Sequence, residues 1–151
     1  NKGSFRKIDY GYISTPVDME LPRRLNIIFS NVKLLITRFS PDELAMEKLF
    51  FCKNIRTALQ VGEARGAILT AAVQEEAHVF EYTPLQVKQA VAGYGRAEKK
   101  QVQQMVAHLL KLPEIPQPDD AADALAIALC HLQSRRWQQL ISKASLDKTM
   151  I

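Results

Sequence analysis

Apolar positions along the chain alternate between two periods. Phe5, Ile8, Tyr10, Tyr12 and Ile13 are strand formers behind the turn residues Asn1-Lys2-Gly3-Ser4, so the sequence predicts a strand over Phe5–Ser14 that Thr15-Pro16 ends. From about Pro22 the period becomes helical. Leu25, Ile28, Phe29, Val32, Leu35, Ile36 and Phe39 form one stripe, and Ser40-Pro41-Asp42 breaks it. Glu43–Glu47 reads as a short strand, with Phe50 and Phe51 in the loop beyond it. A long Ala-rich helix follows from about Asn54 to Glu76, and Gly62 and Gly66 inside it predict close helix packing.

His78–Tyr82 is a further strand, and Pro84 opens a short helix to about Val91. Gly93-Tyr94-Gly95 is a loop. Glu98–Leu110 is amphipathic, with Val102, Met105, Val106 and Leu109 on one face. Leu112–Pro118 is a proline-rich connector, and a last core helix runs from Asp120 to about Gln133. Strands alternating with helices indicate an α/β fold. The expected organisation is one domain over 1–134 and a tail over 135–151. That tail either extends the last helix or lies on the surface.

Composition narrows the class. A chain of 151 residues suffices for one domain with a core. A formal charge of +4 and a pI near 9.1 are compatible with nucleic acid as a partner. No run reaches membrane-spanning length. Cys52 and Cys130 lack metal-site spacing and a disulfide framework, which suits a reducing cytoplasm. His78, His108 and His131 show no ligand spacing, and neither a nucleophile elbow nor a Walker loop is present.

Chemistry concentrates in Pro118-Asp119-Asp120-Ala121-Ala122-Asp123. Asp120 and Asp123 stand three apart, on one face of a helix that is otherwise apolar. Capping by Asp119 and a favourable first-turn charge are the ordinary reading. It accounts for Asp119 better than for Asp123, which opens the second turn among Ala, Leu and Ile. Glu47, at the end of a strand, offers a third carboxylate where α/β sheets place their sites, although a solvated strand-end charge is the commoner case. Glu47, Asp120 and Asp123 together form an all-oxygen donor set suited to Mg²⁺ or Mn²⁺ rather than zinc. Phe50 is either core or a ring that stacks on bases. Lys88, Arg96, Lys99 and Lys100 flank the Gly93-Tyr94-Gly95 loop and suit a phosphate-lined groove, with solvated surface charge as the default alternative.

Three stretches carry a family resemblance. They are Ala45-Met46-Glu47-Lys48-Leu49-Phe50, the run from Tyr82 through Lys88, Gly93-Tyr94-Gly95 and Lys99 to Val106, and Asp120-Ala121-Ala122-Asp123-Ala124-Leu125-Ala126-Ile127-Ala128. Ala58–Gly66 fits as well. In unbroken order from about Ile8 to Gln133, the chain resembles the RuvC family of Holliday-junction resolvases. The resemblance implies an RNase H-like fold, with a mixed sheet flanked by helices. It implies a homodimer that cuts four-way junction DNA by paired symmetric nicks with Mg²⁺ or Mn²⁺, in recombination and repair, alongside RuvA and RuvB. Glu47, Asp120 and Asp123 match the catalytic, metal-holding carboxylates. Phe50 matches the junction-stacking aromatic, and Lys88 and Lys99 match basic residues that contact DNA.

Two departures stand out. Lys48 occupies a position where the family usually has Gln. The family's opening strand, roughly Gly-Ile-Asp-Pro-Gly, supplies another acidic ligand, and no such segment stands in these 151 residues; Asp9 lies in a stretch that matches a later strand. The resemblance therefore implies a chain short of its first two strands and of one ligand. As it stands, such a chain is expected to be inactive and poorly stable, with exposed strand edges and an uncovered helix face. The rival expectation is a non-catalytic dimer that grips junction DNA without cutting it.

Overall fold

The computed structural model of the protein describes residues 5–48 and 55–149, with side chains through 141. Its elements in chain order are α1 (Leu21–Phe39), β1 (Glu43–Glu47), α2 (Ile55–Gln74), β2 (His78–Tyr82), α3 (Pro84–Ala92), α4 (Lys99–Leu109) and α5 (Asp119–Thr149). The chain divides into two compact units. One comprises Gly11–Glu81, the other Asn1–Tyr10 with Tyr82–Ile151.

In the first unit β1 and β2 pair as a two-stranded sheet, and α1 packs on α2. Val32 and Ile36 of α1 meet Ala71 and Ala72 of α2 in a core that Ala77 completes, with Ile28, Phe29, Leu44, Ile68 and Val79 packed around it. Alanines on α2 let the helices approach closely, which favours dispersion contacts. The stripe expected on α1 is buried only along its centre: Leu35 and Phe39 remain exposed, as does Leu34. α1 ends at Ser40, whose φ of 44° sends its N–H back to the Ile36 carbonyl.

Two sequence expectations need correction here. Phe5–Ser14 is not a strand. β-forming residues fix their backbone only when a neighbouring strand accepts the ladder hydrogen bonds, and the sheet among the described residues contains β1 and β2 alone. Without a ladder, the segment makes local contacts, with Lys7 Nζ 4.9 Å from the Tyr10 ring centroid and Asp9 accepting the Tyr10 N–H at 2.9 Å, while Ile13 packs against the core of α1 and α2. The second correction concerns Gly62 and Gly66. A Cβ added at either would meet nothing within 4 Å, so neither glycine marks a close helix contact among the described residues.

The second unit is helical. α3, α4 and α5 contact one another in all three pairs. Val87 and Val91, Val102 and Val106, and Ala121, Ala122, Ala126, Leu129 and Cys130 are their buried apolar residues. α3 starts with a reciprocal cap: Thr83 Oγ1 accepts the Gln86 N–H, and Gln86 Oε1 accepts the Thr83 N–H. It ends at Gly93, whose φ of 85° is the left-handed conformation that glycine adopts without strain. At Gly95 an added Cβ would press on the tip of the Leu85 side chain, which would have to turn away. The Gly93-Tyr94-Gly95 loop thus joins α3 to α4 tightly.

α5 is longer than its sequence pattern indicates. It begins at Asp119, one residue early, and runs 31 residues, straight past Ser134. Residues 135–149 therefore extend the helix, and its outer turns expose Trp137, Leu140 and Ile141. No helix among the described residues is long and apolar enough to cross a membrane.

Candidate active site

The acidic end of α5 is organised by a lysine. Glu98 ends the loop before α4, where its N–H donates to Gln101 Oε1 at 2.8 Å. Tyr94 also donates its hydroxyl to Gln101 Oε1 at 2.8 Å. This fastens the loop and makes Lys99 the first residue of α4. Lys99 Nζ then lies 3.1 Å from Asp119 Oδ2 and 3.2 Å from Asp123 Oδ2. One turn along α4, Gln103 is buried and donates from Nε2 to Asp119 Oδ1 at 3.0 Å. Asp119 is therefore not a helix cap. It lies in the first turn of α5, where a negative charge suits the helix dipole, and both its oxygens face α4.

Asp119 and Lys99 perturb one another as expected for close opposite charges. Hydrogen bonding to Lys99, and then to Gln103, holds the Asp119 carboxyl below its ordinary value. Hydrogen bonds to Asp119 and then Asp123 hold the Lys99 ammonium above its ordinary value. Ala121 and Ala122, between the acids, are fully buried. Their small side chains seat the α5 N-terminus against the unit, while Asp120 is exposed and Asp123 is about half exposed. Lys88, on α3, is partly buried and makes no ion pair among the described residues. Arg96 and Lys100 are exposed.

Glu47 belongs to the other unit, as the exposed last residue of β1. Arg65 of α2 donates from Nη1 to the Glu47 carbonyl at 2.7 Å, and its Nη2 pairs with Glu81 of β2. Phe50 lies outside the described residues. Within neither unit do three or more His, Cys, Asp or Glu side chains among the described residues converge as a metal cage. The donor chemistry nevertheless fits a hard divalent cation, because every candidate ligand is a carboxylate oxygen. The Lys99 ammonium already shows that Asp119 and Asp123 attract a shared cation.

Sequence reading missed Asp119, Gln103 and Arg65 as working residues. Gln103 had a signal: it stands four residues after Lys99, on the same face of α4. Arg65, a charge in the middle of an Ala-rich helix, had a weaker one. The pairing of Asp119 with Lys99 and Gln103 across the α4–α5 contact had none.

Comparison with known proteins adds the family. Residues 1–131 match the family model described as crossover junction endodeoxyribonuclease RuvC. The crossover junction endodeoxyribonuclease RuvC of Halothermothrix orenii is 58% identical over 132 residues, covering 87% of this chain and 80% of that protein. The protein of the same name from Alkaliphilus oremlandii is 50% identical over 136 residues, covering 90% and 83%. The structure of Thermus thermophilus RuvC superposes with a TM-score of 0.85 at 38% identity, covering 91% of this chain and 84% of that one. T. thermophilus RuvC in complex with a Holliday junction substrate superposes at 0.80 with 40% identity, covering 83% and 76%. Matches of this extent, in sequence and in backbone, carry an RNase H-like fold with them. A lysine-bridged acidic helix start, a strand-end glutamate and these matches lead to one conclusion: the chain belongs to the RuvC family of crossover junction endodeoxyribonucleases.

Proposed function

We propose that the protein is a Holliday-junction resolvase. As a homodimer it cuts four-way DNA junctions by paired symmetric nicks in recombination and repair. The observation that carries the reading is the Asp120–Asp123 start of α5 with Lys99 against it, in a chain that matches the family over residues 1–131. A related protein of 40% identity has been seen with a Holliday junction substrate, which supports four-way junction DNA as the substrate here.

Glu47, Asp120 and Asp123 would hold Mg²⁺ or Mn²⁺, which when bound supplies charge neutralisation and an acidified water for phosphodiester hydrolysis. The chain's own groups do the rest. Lys99 presents a fixed positive charge beside Asp123, where it can pair with a non-bridging phosphate oxygen as negative charge grows in the transition state. Lys88 is available to hold a flanking phosphate, since no carboxylate neutralises it among the described residues. Phe50 stacks on bases at the junction centre. Junction choice rests on the spacing of two sites in a dimer and on DNA shape. RuvA and RuvB are the partners in branch migration. Two cysteines without a disulfide framework suit action in the cytoplasm.

A synthetic four-way junction tests this. The intact protein in Mg²⁺ should nick opposing strands symmetrically and leave ligatable ends. Asp123→Asn should bind the junction and leave it uncut. Binding without any nicking by a protein that also carries the family's opening Asp-bearing strand would instead establish a junction-gripping dimer and overturn the proposal.

A further inference from the structure

Glu47 ends a strand, so its orientation depends on how the last peptide of β1 is held. Arg65 holds it. One guanidinium nitrogen donates to the Glu47 carbonyl at 2.7 Å, and the other pairs with Glu81 on the neighbouring strand. The Arg65 side chain is 16% exposed and that of Glu81 38%, so the guanidinium is sheltered while the carboxylate stays partly open to water. A guanidinium is planar, permanently charged and forked, and can donate in two directions at once; an ammonium is a point charge without that planar fork. The bridge therefore ties three elements together at the residue that matters: the end of β1, the middle of α2 and the edge of β2.

We infer that Arg65 is a positioning residue for Glu47, acting through the Glu47 main chain and anchored by Glu81. This rests on Glu47 being one of the site's carboxylates. Groups that orient a ligating side chain typically change activity or metal affinity by about 10- to 100-fold when removed, without touching the substrate themselves. A misplacement of about 1 Å at the reacting centre has a similar effect.

The test uses Arg65→Gln, Arg65→Lys and Glu47→Gln in the intact protein. Read-outs are single-turnover cleavage of a synthetic four-way junction, junction affinity in Ca²⁺, Mn²⁺ affinity by calorimetry, and the melting temperature. Arg65→Gln should cut roughly 10- to 100-fold more slowly and bind Mn²⁺ more weakly, with junction affinity unchanged. Arg65→Lys should recover part of the rate, because it keeps the charge opposite Glu81. Should Arg65→Gln cleave and bind Mn²⁺ normally while Glu47→Gln is inactive, Arg65 merely supports the fold and the inference is wrong. Normal cleavage by Glu47→Gln would overturn the role of Glu47 itself, and the positioning role with it. If Arg65→Gln melts too low to assay, Glu81→Gln replaces it: it removes the anchor but leaves Arg65 in place, and the inference requires a smaller loss of the same kind.

Discussion

Lys99 places its ammonium 3.2 Å from the Asp123 carboxylate, on the first turn of one helix against the second turn of another. That pairing sets one positive charge against the acidic start of α5, which stays net negative. Under the proposed function, Lys99 serves the chemistry more than the fold. The side chain is 53% exposed, and an exposed ion pair adds little to stability. Lys99→Met should therefore lower junction cleavage by about 10²-fold or more while the melting temperature barely moves. A rate within about twofold of the unaltered protein would remove Lys99 from the mechanism.

Asp119 and Asp120 are neighbours with different tasks. Asp119 turns both oxygens toward Lys99 and Gln103. Asp120 is exposed at the same helix start, and the proposed function makes it a metal ligand. Asp120→Asn should abolish cleavage, whereas Asp119→Asn should slow it by about an order of magnitude, through a less constrained Lys99. Parallel cleavage time courses decide the point, and equal loss in both variants would show that Asp119 is itself a ligand.

The Asp119–Lys99 pair gives stability a defined pH window. The Asp119 carboxyl lies below its ordinary 3.8 in the folded protein. Its contribution is therefore complete above 3.8 and is lost as pH falls through the depressed value. Lys99 lies above its ordinary 10.5, so its contribution is complete below 10.5 and is lost as pH rises through the raised value. Urea unfolding should show a small, constant stability gap between the protein and Asp119→Asn at neutral pH, to which the Gln103 hydrogen bond contributes beside the exposed Lys99 pair. The gap should close in acid below 3.8. A gap that persists unchanged at about pH 2 would contradict this.

Cys130 should be chemically silent. It is 1% exposed, and burial raises its thiol above the ordinary 9.0 against a smaller opposing effect of Ser134. In a Cys52→Ser background, iodoacetamide at about pH 8 should label Cys130 only after denaturant is added. Rapid labelling of the native protein would show that α5 opens locally.

Leu129, on the same helix, is among the largest fully buried side chains. Leu129→Ala should cost about 3 kcal/mol by calorimetry or urea titration, from lost burial and the cavity left behind. Trp137 is 67% exposed, and Trp137→Ala should change stability by about 0.5 kcal/mol or less.

Local signals alone determined much of this protein. Prolines, caps and hydrophobic period placed β1 and β2 at their observed limits and the helix ends within a few residues of theirs, except the C-terminal end of α5, because such signals act over one or two turns. Side-chain chemistry and spacing singled out Glu47, Asp120, Asp123 and Lys99, because carboxylates three apart at a helix start are visible in one dimension. Tertiary structure decided what spacing does not encode. Phe5–Ser14 has strand-forming residues, yet a strand exists only where another accepts its hydrogen bonds. Lys99 and Asp119 are 20 positions apart, as are Arg65 and the Glu47 carbonyl by 18. Coulomb and hydrogen-bond energies depend on distance in space, and only the packing of α4 on α5, and of α2 beside β1, brings these groups within 3.1 Å and 2.7 Å.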